Sequence, residues 1–242
     1  MKTRHLSILA VLFLSVIASL PAQTADAVIA KARAYLGGDQ ALAGVKSIHF
    51  TGVLEMPDGT KLPTDIVFQK PYQQRITVKG ASVTETTALD GYDAWQKRAN
   101  AANPAQWQLT LLDAAQVKRL RANTLENLSF YSTKIMPGCV VELSGDVTVE
   151  GVSCVKLTFI HTGNIVFTRY FNKATGQLLK TETDNGAEIR EEGSLTVDGI
   201  RFPKRVINKN ANGTVTSIIF DSVILNEAFP ADSFAVPSFQ SH

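Results

Sequence analysis

Cysteine, histidine and long apolar runs are all scarce in this 242-residue chain, and each scarcity excludes something. His5, His49, His161 and His242 stand far apart, and none lies at ligand spacing from another histidine, a cysteine or a carboxylate, which argues against a metal site. Gly-x-Ser-x-Gly, a glycine-rich phosphate loop and His-Glu-x-x-His are absent, so the common hydrolase and nucleotide signatures are missing. Acidic residues fall mainly in turns (Asp58, Asp90, Asp184, Asp198) or on polar strand faces. Whether two of them converge in a cleft, as a glycosidase needs, is decided by the fold. The expectation is a protein without covalent chemistry and without a cofactor.

The one long apolar run is Leu6 to Leu20. It follows Lys2 and Arg4 and ends in Pro21-Ala22-Gln23, the pattern of a secretory signal peptide over residues 1–22. It is shorter than the roughly 20 apolar residues of a membrane span. Without Lys2 and Arg4, Lys+Arg falls from 24 to 22 and equals the 22 Asp+Glu. A neutral chain without a basic run has no electrostatic footprint for nucleic acid or for an anionic membrane.

Cys139 and Cys154 are the two cysteines. An exported protein can pair them, and the register decides. A hairpin turn at Glu150-Gly151 sets Cys154 opposite Val147 and leaves Cys139 farther along. A turn near Asp146-Val147 would place the two thiols face to face.

What is abundant is alternation. From Val147 to Phe220, strand-like segments are separated by tight turns: His161-Thr162-Gly163-Asn164, Asn172 to Gly176, Asp184-Asn185-Gly186, Asp198-Gly199 and Asn210 to Gly213. Asn-Gly and Asp-Gly accept the positive φ of hairpin turns. Hairpin follows hairpin with no helix between, which reads as an antiparallel meander. Upstream, Ser47–Met56, Leu62–Gln69, Arg75–Val78, Val83–Leu89 and Tyr92–Lys97 alternate in the same way. Thr24–Leu36 has an apolar stripe at helical spacing, a capping Thr24 or Asp26, and Gly37-Gly38 to end it. A short helical turn is expected over Asp39–Val45. A further helix opens at Asp113, with Gln116 three residues on in a capping-box arrangement. The class is therefore all-β with minor helices: one domain over residues 23–242, with a curved antiparallel half-barrel of about ten strands partly closed by two or three helices.

A sheet with one apolar face must cover it. Two short helices cover little of ten strands, so a cavity is expected between them and the sheet. Phe50, Leu54, Ile66, Phe68, Trp95, Trp107, Leu157, Phe159 and Phe167 are the candidates to line it, each with the alternative of filling core.

Several features also occur together, in order, in a known group. They are the strand ending Lys70-Pro71 and leading to Arg75, Leu89-Asp90-Gly91 followed by Trp95, a central helix, Tyr170-Phe171-Asn172…Thr175-Gly176, and the tail Asn226…Pro230…Phe234…Pro237. The chain resembles the LolA/LolB-like superfamily of lipoprotein-sorting carriers. That resemblance implies a periplasmic protein whose cavity receives acyl chains of a lipid or lipoprotein, with an envelope transport or acceptor protein as a further partner. The carriers have arginine before the strand-ending proline, where this chain has Lys70. Lysine lacks arginine's planar donor fork. The competing class is an envelope interaction module whose core is filled by its own side chains, and cavity volume separates the two.

Overall fold

The computed structural model describes residues 23–238, so the expected signal peptide lies outside the described residues. The first helix, α1 (Ala25–Leu36), is capped by the Thr24 hydroxyl, which accepts from the Ala27 N–H. A short α2 (Asp39–Ala43) follows. Five antiparallel neighbours then run in sequence order: β1 (Ser47–Glu55), β2 (Lys61–Gln69), β3 (Gln73–Lys79), β4 (Val83–Asp90) and β5 (Asp93–Asn100). Strand β6 (Trp107–Leu111) ends that half, and α3 (Ala114–Ser129) opens with the expected Asp113/Gln116 capping box.

The second half contains β7 (Val140–Val149), β8 (Val152–His161), β9 (Ile165–Asn172), β10 (Leu178–Thr183) and β11 (Glu188–Glu192). It continues with β12 (Leu195–Val197), β13 (Ile200–Phe202), β14 (Arg205–Lys209) and β15 (Val215–Leu225). Thirteen strands form one curved, unclosed sheet in the order β6-β5-β4-β3-β2-β1-β15-β14-β11-β10-β9-β8-β7. This is the expected half-barrel, with more strands than the ten expected from the sequence.

Two features depart from a simple meander. Gly193 and Pro203 interrupt what alternation alone marks as two continuous strands, so β11 pairs directly with β14. The β12–β13 hairpin forms a separate two-stranded sheet that packs against α1. The second feature is the β1–β15 pairing, which joins the two halves of the chain.

The hairpin turn does fall at Glu150-Gly151, and Cys154 faces Val147 across β7–β8. Cys139 lies before β7, with its sulfur 4.0 Å from His161 Nε2. Both thiols are free, so the disulfide allowed by the alternative turn is not formed: the register keeps the cysteines apart.

Residues directly opposite in a ladder share a face, so the register assigns two sides. The inner face carries Phe50, Ile66 and Ile76 on neighbouring strands, and Leu157 and Phe159 opposite Arg169 and Phe167. Helices α1 and α3 lie on it. One inner cluster packs Val28, Ile29 and Ala32 of α1 with Ala122 and Leu125 of α3 onto Val155, Leu157, Phe159 and Phe171. A second surrounds Phe50, Phe68, Phe202 and Phe220. The turn before β10 buttresses α1 so closely that a Cβ on Gly176, at φ +81°, would lie 2.6 Å from the Lys31 carbonyl oxygen.

The outer face is covered by the chain's end. Val67, Arg75, Ala88 and Trp95 lie side by side on β2 to β5. The Trp95 indole N–H donates to the Phe234 carbonyl at 2.9 Å. His49 anchors the same segment through Glu227, with Nδ1 2.5 Å from Oε2, while its Nε2 lies 2.6 Å from Asp65 Oδ2. Burial alone would lower the His49 pKa, but the two carboxylates outweigh it and raise it above the usual 6.5. A raised histidine pKa stabilises below the unfolded value and loses that contribution as pH climbs through the folded value. Protection factors for the amides of residues 226–235 should therefore fall as pH rises above about 6.5. His49→Gln should flatten that dependence, and an unchanged profile would remove His49 from the clamp.

Candidate functional site

A cavity of about 420 Å³ lies between the inner face and the helices. Its volume is within the roughly 300–1,000 Å³ of ligand pockets. Its apolar wall comes from the seam between the halves: Ile48 and Phe50 of β1, Ile66 and Phe68 of β2, and Ile218 and Phe220 of β15. Their rings interlock edge-on, with Phe50 to Phe202 at 5.7 Å and Phe50 to Phe68 at 6.5 Å between centroids.

Of the nine candidates, Phe50, Ile66, Phe68 and Phe167 line this cavity. Leu54 shares the inner face with Phe50 but lies beyond the lining, near the end of β1. Leu157 and Phe159 face inward too, but α1 and α3 bury them in core. Trp95 is on the outer face under the tail. Trp107 pairs with Ala99, on that same side, with the Lys97 ammonium 4.8 Å from its ring. Alternation assigns faces within a strand; it does not say where a helix will sit or which face the tail will cover.

The β9–β11 wall is mixed, with polar groups set beside Phe167, Leu178 and Ile189. Arg169 of β9, Thr181 of β10 and Glu191 of β11 border the cavity together with Glu126 of α3. Glu126, Arg169 and His161 side chains are only 4%, 7% and 4% exposed, so this is a buried charge network rather than a surface pair. Glu126 Oε1 contacts His161 Nε2 and its Oε2 contacts Arg169 Nη1. Burial pushes the Glu126 carboxyl up, but Arg169 and His161 more than offset it and hold the carboxyl below its usual value. His161, which burial would lower, is raised to about 9 by Cys139 and Glu126. Glu191 is different. Burial raises its pKa to about 7, against the opposing effect of Arg169. The guanidinium of Arg169 also lies 4.7 Å from the Phe159 ring and 5.0 Å from Tyr131.

Helix placement depends on one further arginine. Arg33 of α1 donates through Nη1 to the Ser129 and Phe130 carbonyls at the end of α3, at 3.0 and 2.8 Å. Phe130 and Tyr131 follow with φ of 48° and 68°, the left-handed region that costs a side-chain-bearing residue energy. Both rings border the cavity. Lys70, set against Arg33, has its pKa lowered first by burial and then by that neighbouring charge. In this chain the fork that ties the helices together thus sits on α1.

An unclosed antiparallel half-sheet of this kind is also found in solved proteins. The chain matches a LolA superfamily protein from Nitrosomonas europaea over 89% of its length and 99% of that chain, with TM-score 0.58 and 14% identity. The chain has the LolA-type fold. A putative outer membrane lipoprotein-sorting protein domain from Vibrio parahaemolyticus matches over 86% and 94%, with TM-score 0.55 and 11% identity. A DUF1329 family protein from Desulfovibrio piger matches over 86% and 96%, with TM-score 0.54 and 13% identity. No protein-family model and no curated protein matches the sequence. At these identities the likeness establishes the LolA-type architecture, and the sheet order and helix cover described above are its elements in this chain.

Most of the remaining lining, including Ile218, Phe220, Arg169 and Glu191, was not expected from sequence, nor was the pairing of Glu126 with His161. Glu126 is one of several polar residues on α3, and His161 has the appearance of a turn residue. Nothing local signals that the fold buries them against each other. Among the described residues, no group of three or more histidines, cysteines or carboxylates is placed to hold a metal ion. No helix among them is long and apolar enough to cross a membrane.

Proposed function

We propose that this protein binds the acyl part of a lipid or lipoprotein in the cavity between its sheet and helices, as an exported, non-catalytic carrier in the cell envelope. The observation that carries the reading is the aromatic and aliphatic pocket of about 420 Å³ under α1 and α3. A self-filled interaction module has no use for such a volume. The fold is shared with a protein named for outer membrane lipoprotein sorting, which adds support for the envelope setting. Affinity would come from transferring methylenes out of water, about 0.8 kcal/mol for each. Phe130, Tyr131 and the Arg33 tie are where a closed pocket would open, because they fix the end of α3 against α1.

Ile218, partly buried at the pocket wall, offers the test. Ile218→Trp places a larger ring in the pocket and should weaken uptake of a neutral fluorescent acyl probe at least tenfold, with the melting temperature changed by only a few degrees. Uptake equal to that of the parent protein in a folded Ile218→Trp variant would place the binding site elsewhere. A parent protein that takes up no probe at all would favour the interaction module.

A further inference from the structure

The cavity is two-sided. Its β15-β1-β2 wall is hydrocarbon, whereas the β9-β10-β11 wall sets Arg169, Thr181 and Glu191 among Phe167, Leu178 and Ile189. A pocket built only for hydrocarbon has no reason to retain these groups, since a buried ion costs several kcal/mol of desolvation. Arg169 is also incompletely used. Its Nη1 faces Glu126, but its Nε has no hydrogen-bond partner among the described residues, although the atom is buried. Guanidinium N–H groups pair with carboxylate or phosphate oxygens, often in twos, and an unfilled donor of this kind is rare.

We propose that the ligand is a single-chain amphiphile with an anionic oxygen head, a carboxylate or a phosphate, which Arg169 receives on the mixed wall while the chain lies along Phe50, Phe68 and Phe220. The proposal rests on the apolar-ligand reading above and adds the head group and its orientation. The charges facing the position sum to a positive balance. Arg169 and Arg201 are cations, Glu126 is an anion already engaged by His161 and Arg169, and Glu191 is largely uncharged below about pH 7. Glu191 in its acid form is a donor that an anionic oxygen accepts, and Thr181 adds a hydroxyl.

The test uses the full exported protein, freed of lipid, at pH 6.5, and displacement of a neutral fluorescent acyl probe. Hexadecanoate, hexadecyl phosphate, hexadecanol and hexadecylamine share one chain length. The expected result is that at least one anion binds tenfold or more tightly than the alcohol, and that the amine is the weakest. Which anion leads distinguishes a fatty acid from a phosphate-headed lipid. Arg169→Met should bring acid and alcohol within threefold of each other while alcohol binding is kept. Should that variant fail to fold, Glu126→Gln/Arg169→Met removes the stranded carboxylate and is read in the same way. Arg201→Met should leave the selectivity in place. Equal binding of acid and alcohol by the parent overturns the head-group proposal and leaves the apolar pocket standing. Selectivity that survives loss of Arg169, or that disappears with Arg201, also overturns it. A bound probe that none of the four displaces overturns the head-group proposal, whereas a parent that takes up no probe at all removes the apolar-ligand reading on which it depends.

Discussion

Glu126→Ala should destabilise the fold by about 3–5 kcal/mol, the usual cost of removing one partner from a buried ion network. The carboxylate stands between two buried cations, with His161 on one oxygen and Arg169 on the other. Without it, both are left among the rings of Phe159, Phe167 and Tyr131 with their shared carboxylate gone. His161 escapes by giving up its proton, whereas Arg169 cannot. The pH dependence identifies the cause. In the parent protein the His161 pKa is raised to about 9, so its contribution is complete below its unfolded value of about 6.5 and is lost as pH rises through 9. Glu191, with its pKa raised to about 7, also makes stability fall with rising pH, but in the lower window from its ordinary value near 4.5 up to about 7. Urea unfolding at pH 7.5 and pH 10 therefore excludes Glu191. The Cys154 thiol, raised by burial, and the Lys70 ammonium, lowered by it, contribute alike to parent and variant and cancel in the comparison. The parent should lose stability between these points, and Glu126→Ala should lose much less. Replacing the pair together, as Glu126→Gln/Arg169→Met, should cost less than the single change, because no charge is stranded. A Glu126→Ala cost below about 1 kcal/mol would show that water reaches the network.

The sequence made strands, hairpins and helix caps readable because each is written within a few residues. Glu150-Gly151 sets the β7–β8 register, Asp113 with Gln116 starts α3, and alternation puts Phe50, Ile66 and Phe68 on one face. What local pattern lacks is anything that depends on pairing across the chain. Trp95 and Phe68 are both apolar strand residues, yet one lies under the tail and the other at the pocket. The difference arises because residues 226–235 fold back over the outer face, held by His49, Arg75 and Trp95. Phe159 alternates as a cavity residue would, and α1 buries it as core. The β12–β13 hairpin leaves the sheet because Gly193 and Pro203 break strands whose alternation is otherwise continuous. Glu126, Arg169 and His161 come from a helix and two strands, and a charge that will be buried looks like any other in a polar stretch.

The seam between the halves gives the other large effect. Gly52→Val should cost about 3 kcal/mol, the upper range for forcing extra volume into a packed site. Its backbone is not in the left-handed region; the constraint is space. A Cβ at Gly52 would lie 2.1 Å from the Ile219 carbonyl oxygen and 2.9 Å from Phe220 Cα, both backbone atoms that cannot turn aside. The register explains why they come so near. Thr51 faces Ser222 while Gly52 faces Phe220, so Asp221 is an extra residue on β15, and the bulge presses its strand onto β1. The missing side chain is put to use, because the Phe220 ring sits across from the glycine and meets Phe50 at 4.6 Å between centroids. A side chain at position 52 must therefore separate β1 from β15 or displace Phe220 into the pocket. Since β1–β15 is the ladder that joins strands β1–β6 to β7–β15, separation loosens both halves at once. Chemical denaturation of Gly52→Val and Gly52→Ala should show the loss already at alanine, because the first carbon makes the clash. Acyl-probe binding by the surviving folded fraction should weaken as well, since Phe50 and Phe220 form the pocket's apolar wall. An alanine variant as stable as the parent would mean that the bulge can relax away from β1, and the seam would then not be the rigid floor of the cavity.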